Sequence, residues 1–219
     1  MDGYSDSPFR QITRKLGSAA SITEFVNTME VVSRNTIYEE RCSFQPSERP
    51  IGIQLFDNNP ERIIRGAEII VNKWNPDWID INMGCSINKI LKKDSCGALI
   101  KNPSLAREII IATKEGAAPL PVSVKTRLGH DAFSPQWIEW LLQSDIDALT
   151  IHGRTVVQGF RGNADWTSIG KAVEIKKQLG VSTCIIANGD VKSRAQGVEC
   201  AARYEVDGIM TVSYTHLRA

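Results

Sequence analysis

No stretch of this sequence approaches the roughly 20 apolar residues that a membrane-spanning helix needs, so no membrane association is expected. Neither sign of charge is in excess: 26 basic residues face 25 acidic ones, and composition alone does not announce a nucleic-acid binder. That average is silent about a local basic face. CxxC spacing is absent, which removes the usual structural zinc site. The five cysteines, Cys42, Cys85, Cys96, Cys184 and Cys200, are odd in number and widely scattered, unlike a disulfide framework. Thiol cysteines are most often core residues, and Cys184, in the run Thr183-Cys184-Ile185-Ile186, is expected in the core. Residues 1–6 lack the basic and apolar regions of a signal peptide, and a cytoplasmic protein is expected. No internal repeat, low-complexity tract or linker interrupts the chain, which reads as one domain.

What is there is an alternation. Short apolar runs at 20–25, 50–56, 78–84, 121–128, 148–152, 183–188 and 208–211 read as strands. Between them, helical spacing runs over 59–74, 103–115, 134–143, 165–179 and 193–204. Asn-Pro at Asn59 and Asn102 and Ser-Pro at Ser134 are helix entries, and Gly180 is a stop. A βα period of roughly 25–35 residues argues for a parallel sheet. The expected fold class is α/β, a (β/α)8 barrel that is incomplete; a doubly wound open sheet is the alternative. The barrel is favoured because polar residues gather at strand ends: Glu24, Gln54, Asn82, Lys125 with Arg127, His152 with Arg154, and Asn188 with Asp190. A barrel collects such ends around one site.

The run Ile79-Asp80-Ile81-Asn82-Met83-Gly84-Cys85 alternates as a half-buried strand does, turns at Gly84 and presents a thiol. Cys85 can act as nucleophile or proton donor. Gln54 offers an amide donor and acceptor to a ring edge, or satisfies loop backbone instead. Lys125, inside an apolar strand, is costly to bury unpaired. It reads as a cation toward an anionic cofactor, a Schiff-base nucleophile or half of an ion pair. His152 has no neighbouring histidine or carboxylate at ligand spacing, so no metal site is expected. Asn188-Gly189-Asp190 forms a turn whose amides suit a phosphate. Asn82 suits a substrate carbonyl or amide.

Six motifs in order resemble those of the tRNA-dihydrouridine synthases, over residues 1 to about 210. These are Met1-Asp2-Gly3-Tyr4-Ser5-Asp6, Ile51-Gly52-Ile53-Gln54-Leu55, Asp80-Ile81-Asn82-Met83-Gly84-Cys85, Val124-Lys125-Thr126-Arg127, Ile151-His152-Gly153-Arg154-Thr155 and Ala187-Asn188-Gly189-Asp190. The resemblance implies FMN-dependent reduction of uridine in tRNA to 5,6-dihydrouridine, with NADPH as reductant. It implies hydride delivery to C6 and proton donation from Cys85 to C5. It places Met1, Asp2, Gln54, Lys125, His152, Asn188, Gly189 and Asp190 on FMN. Asn82 would position the base, and Arg127 and Arg154 would hold the RNA or the uracil edge. Exposed arginines are otherwise commonly just solvated charges.

The chain departs from the family pattern at three places. It begins inside the opening motif, Ser86 follows the cysteine where the family has Pro, and no Gly-Arg pair follows Met210. Residues 1–210 therefore read as a partial FMN-binding barrel that lacks most of strand 1, the final helix and the C-terminal helical domain. Residues 211–219 read as a non-native tail. An inactive barrel retaining weak RNA binding is the alternative function. Oligomeric state is not readable.

Overall fold

The computed structural model describes residues 3–34 and 36–212; Met1, Asp2, Asn35 and residues 213–219 lie outside the described residues. The chain opens with helix α1 (Ser7–Lys15), strands β1 (Ser21–Ile22) and β2 (Val26–Asn27), helices α2 (Thr28–Val32) and α3 (Ile37–Cys42), and a 3₁₀ turn at Pro46–Glu48. It continues with β3 (Ile51–Phe56), α4 (Pro60–Trp74), β4 (Trp78–Met83), α5 (Asn88–Leu91), a 3₁₀ turn at Cys96–Lys101 and α6 (Pro103–Ala117). Then follow β5 (Val122–Arg127), α7 (Pro135–Leu142), β6 (Ala148–His152), α8 (Trp166–Leu179), β7 (Cys184–Asn188), α9 (Arg194–Tyr204) and β8 (Gly208–Met210). Every strand pairing described is parallel. The architecture is α/β, that of an incomplete (β/α)8 barrel.

The chain divides into two compact units, residues 1–82 with 108–122 and residues 83–107 with 123–219. In the first, β3 pairs with β1, β2 and β4. Side chains alternate along these strands, so one face is apolar while the other carries Gln54, Asp80 and Asn82. Ile51, Ile53, Leu55, Ile79 and Ile81 are accordingly buried. Helix α4 starts where Asn59 accepts from the Arg62 N–H at 2.9 Å and ends at left-handed Asn75. It buries Ile63, Gly66, Ala67 and Ile70, the i, i+3, i+4, i+7 face of an amphipathic helix.

In the second unit β5, β6, β7 and β8 pair in chain order. The register sets Arg127 beside His152, His152 beside Asn188, and Asn188 beside Met210. Helix α8 is capped by Asp165, which accepts from Ser168 N–H at 3.0 Å, and it ends at Gly180 with φ 66°. Ser134 and Ser193 cap α7 and α9 in the same way.

Three features differ from the sequence reading. The strand expected over 20–25 is instead two, β1 and β2. Between them the Thr23 hydroxyl donates to the Glu24 carbonyl and accepts the Gln54 N–H, so a side chain replaces part of the ladder. Helices α1, α2 and α3 precede the first expected helix. In α1 the buried residue is Arg10, so there is no apolar stripe to read. Cys184 is exposed, not core: along β7 it is Ile185 and Ala187 that turn inward, and Cys184 opens the strand on the outer face.

What fixes α1 is charge. Arg10 Nε donates to Glu48 Oε2 at 2.6 Å, with both side chains buried. The other guanidinium nitrogens reach the Ser5 and Ser43 carbonyls. Glu48 Oε1 accepts from the Ser7 hydroxyl and the Gln45 N–H. Removing one partner strands the other charge away from water. Glu48→Ala is expected to lower unfolding free energy by about 3 kcal/mol or more. Lys177→Ala, which breaks the exposed pair with Glu205, changes it by less than about 1 kcal/mol. Urea denaturation of the two variants checks the contrast.

Candidate active site

In the first unit the sites of interest form a side-chain chain at the ends of β3 and β4. Gln54 and Asp80 are cross-strand partners, and Asn82 lies two residues on, on the same face. Gln54 Nε2 donates to Asp80 Oδ2 at 2.6 Å, and Asn82 Nδ2 donates to Gln54 Oε1 at 2.9 Å. All three are buried, Asp80 completely. The Gln54 amide is thus fixed at both ends by side chains rather than loop backbone. The Glu24 carboxylate accepts the N–H groups of Tyr4 and Ser5 and holds down the segment that follows Met1 and Asp2. The expectations for those two residues fall outside the described residues.

In the second unit Cys85 is half-buried, at the start of the loop that follows β4. The carbonyl of the preceding Gly84 accepts from Arg127 Nε at 2.7 Å. Arg127 Nη1 reaches the Thr155 and Gly159 carbonyls at 3.0 and 2.8 Å, so one guanidinium joins the loop after β4 to the loop after β6. Arg154 donates to both Asp190 carboxylate oxygens, at 2.8 and 2.9 Å, and to the Gly162 carbonyl at 2.6 Å. Both arginines are buried, at 5% and 3% exposure, which rules out the solvated-charge alternative. Asp190 Oδ2 also takes the Ala164 N–H. Lys125 is half-buried, and its Nζ donates to Asn188 Oδ1 at 3.1 Å; Asn188 Nδ2 in turn donates to the Met210 carbonyl. Gly189 sits at φ 125°, where a Cβ would lie 2.9 Å from Ala164 and 3.0 Å from the His152 ring. Only glycine meets both constraints.

His152 stands among Lys125, Arg127 and Arg154. Burial first, and then those three cations, push its pKa from 6.5 down to about 2. The imidazole is therefore neutral at working pH and is no acid there. An open cleft of about 1010 Å³ in this unit is lined by Arg154, Phe160, Trp166, Asp190, Lys192 and Arg203, among others. Of the expected site residues, only Arg154 and Asp190 border it. Among the described residues no cluster of His, Cys, Asp and Glu fits a metal ion, and no helix is long and apolar enough to cross a membrane.

Asp80, Glu24 and the anchoring duty of the arginines were not assigned from sequence. Asp80 had a signal, its place two residues before Asn82 in the alternating run 79–85. Glu24 had only its place near a strand end.

The His152 shift has a pH consequence. The unfolded imidazole binds a proton near pH 6.5 and the folded one does not until about pH 2. This contribution is complete above pH 6.5 and is lost as pH falls below it, by about 1.4 kcal/mol per unit. Between pH 7 and 5, wild type is expected to lose about 2 kcal/mol more than His152→Gln. Urea midpoints at the two pH values measure the difference.

Comparison with known proteins bears on this arrangement. A family description, Dihydrouridine synthase (Dus), matches residues 1–215. A protein of Aquifex aeolicus named as a tRNA-dihydrouridine synthase is 37% identical over 213 residues, covering 96% of this chain and 66% of that protein. One of Synechocystis is 36% identical, covering 96% and 58%, and one of Staphylococcus aureus 34%, covering 96% and 65%. The chain thus spans about three-fifths to two-thirds of the length of these relatives. Among solved structures, a deoxyribose-phosphate aldolase from Toxoplasma gondii superposes with TM-score 0.60 at 13% identity, covering 96% of this chain and 85% of that one. One from Coccidioides immitis gives 0.58 at 15%, covering 94% and 74%. Such likeness is one of fold. The match across nearly the whole sequence, with the strand-end motifs in place, makes this chain a member of the dihydrouridine synthase family.

Proposed function

We propose that this chain carries the reductive core of an enzyme that converts uridines in tRNA to 5,6-dihydrouridine, with FMN as cofactor and NADPH as reductant. The observation that carries the reading is the family match across residues 1–215, with the strand-end motif that presents Cys85 in place. A neutral, low-pKa imidazole cannot supply the proton, and a thiol can.

The residues present fit a flavin nucleotide in the chemistry of their donors. Gln54 holds a fixed amide, Lys125 and the two arginines make a positive field, and the 188–190 turn offers backbone N–H groups. Gln54, Lys125, His152, Asn188, Gly189 and Asp190, with Met1 and Asp2, would hold FMN. Asp190 is committed to Arg154, so a phosphate there would meet the turn's amides and not the carboxylate. Bound FMN, reduced by NADPH, supplies hydride to uracil C6.

The protein's own part is the proton and the pose. Cys85 gives its Sγ proton to C5, is left as thiolate and regains a proton from water. Hydride and proton together saturate the C5–C6 bond. Asn82, steadied by Gln54, would orient the base. The uridine must leave its stack to reach the thiol, since a base in a folded RNA presents only its edges. Arg127 and Arg154 would serve the RNA by fixing the rim loops after β4 and β6, and their charge favours a phosphate backbone nearby.

Cys85→Ala is expected to keep the yellow flavin spectrum and to lose dihydrouridine formation by about 10²-fold or more. Absorbance of the purified chain and dihydrouridine mapping in tRNA read the two parts separately. Turnover unchanged in the variant refutes the proton assignment. A colourless protein that takes up no added FMN refutes the cofactor.

A further inference from the structure

Gln54, Asp80 and Asn82 belong to one compact unit and form a chain of hydrogen bonds with a single direction. Asp80 is wholly buried, and Gln54 and Asn82 nearly so. A side-chain amide can ordinarily turn over and exchange its donor for its acceptor, because its oxygen and NH2 are alike in size. Here that freedom is removed step by step. A carboxylate has only acceptors to offer, so the end of the Gln54 amide that lies 2.6 Å from Asp80 Oδ2 is its NH2. The Gln54 oxygen is then turned to Asn82 and calls for a donor, which Asn82 Nδ2 supplies at 2.9 Å. The Asn82 carbonyl oxygen is thereby turned away from Gln54. Reversing either amide would set oxygen against oxygen or NH2 against NH2 in a buried place.

Asn82 is two residues nearer than Asp80 to the carboxyl end of β4, the end at which barrels bind their ligands. We propose that Asp80 is a positioning residue that sets which base the site accepts: through Gln54 it locks the Asn82 amide with its oxygen toward the base. That oxygen receives the N3–H of uracil, and the second Nδ2 hydrogen meets a ring carbonyl beside it. Cytosine in the same pose brings an unprotonated N3, so a lone pair faces the Asn82 oxygen. An amide free to turn over would offer its NH2 to that nitrogen and take both bases. One locked by a buried carboxylate takes only the base that carries the proton. Leaving such a buried acceptor unpaired costs about tenfold to a hundredfold in binding.

This role rests on the proposed reading of Asn82 as the residue that orients the base, and the experiment separates the two. Asp80→Asn keeps the shape of the side chain but lets it accept from Gln54 or donate to it, so both directions of the chain become available. In nitrogen-15 spectra of the FMN-loaded chain, the Gln54 and Asn82 NH2 protons are expected to exchange with water about tenfold faster in the variant, the scale of one charge-assisted hydrogen bond. Transcripts with uridine or cytidine at the mapped dihydrouridine position then compete for the protein. Wild type is expected to prefer uridine by about tenfold or more, and Asp80→Asn to narrow that preference to within about threefold. A residue that only supports the fold would lower turnover and leave the preference as it is. A transcript with 3-methyluridine at that position, given to the wild-type protein, requires no variant to fold and is expected to lose turnover by about tenfold or more, since its N3–H is gone. An unchanged preference in folded Asp80→Asn overturns the proposal, as does full turnover of the 3-methyluridine transcript. If the wild-type chain reduces no uridine, the functional reading fails instead; the exchange rates still decide whether Asp80 locks the two amides.

Discussion

The two carboxylate oxygens of Asp190 take the Arg154 guanidinium at 2.8 and 2.9 Å, and the arginine has almost no contact with water. A charge so placed is tolerated only while its partners stay in position. The consequence spreads through the second unit. Arg154 starts from the residues that follow β6, Asp190 from the turn after β7, and the same carboxylate takes the Ala164 N–H ahead of α8. Arg127 repeats the device between the Gly84 carbonyl and the Thr155 and Gly159 carbonyls. Loops that carry chemistry lack the ladder bonds that stiffen strands. Here buried guanidiniums, each a planar fork of donors, do that stiffening. A lysine at either position offers no such fork.

These anchors also set the electrostatics. Three cations crowd one imidazole, and His152 has to stay neutral because a fourth positive charge in a buried place is too costly. The same field that denies His152 a proton favours negative charge nearby. Loop anchoring and the local electrostatics are thus set by one group of side chains. The first unit works by a different rule. Its strand ends carry Gln54, Asp80 and Asn82, joined by hydrogen bonds that fix amide orientation.

Much of this was legible in the sequence because parallel βα units advertise themselves. The strands 50–56, 78–84, 121–128, 148–152, 183–188 and 208–211 and the five longer helices agree with the structure to within about two residues at each end. Asn59, Ser134, Asp165 and Ser193 do cap the helices they precede. The opening segment was not legible. It folds through the buried Arg10–Glu48 pair, and charges 38 residues apart leave no periodic signal. The arginines of the strand-end motifs were recognisable as important, yet their burial was not. Composition says nothing about whether a guanidinium will find carbonyls in three dimensions. Cys184 shows the reverse error: an apolar run describes a strand but not which of its faces, or which of its ends, is covered.

The cysteines show most clearly what sequence order hides. Cys85 and Cys96 are eleven positions apart, with a short helix between them, and nothing in their spacing links them. The chain doubles back through α5, so that the Cys96–Lys101 turn begins against the backbone of Cys85. The Gly97 N–H donates to the Cys85 carbonyl with no room for a Cβ between them, and Cys96 before it is fully buried at a left-handed φ. Each is ordinary by itself. Together they hold the carbonyl of the residue whose thiol follows β4.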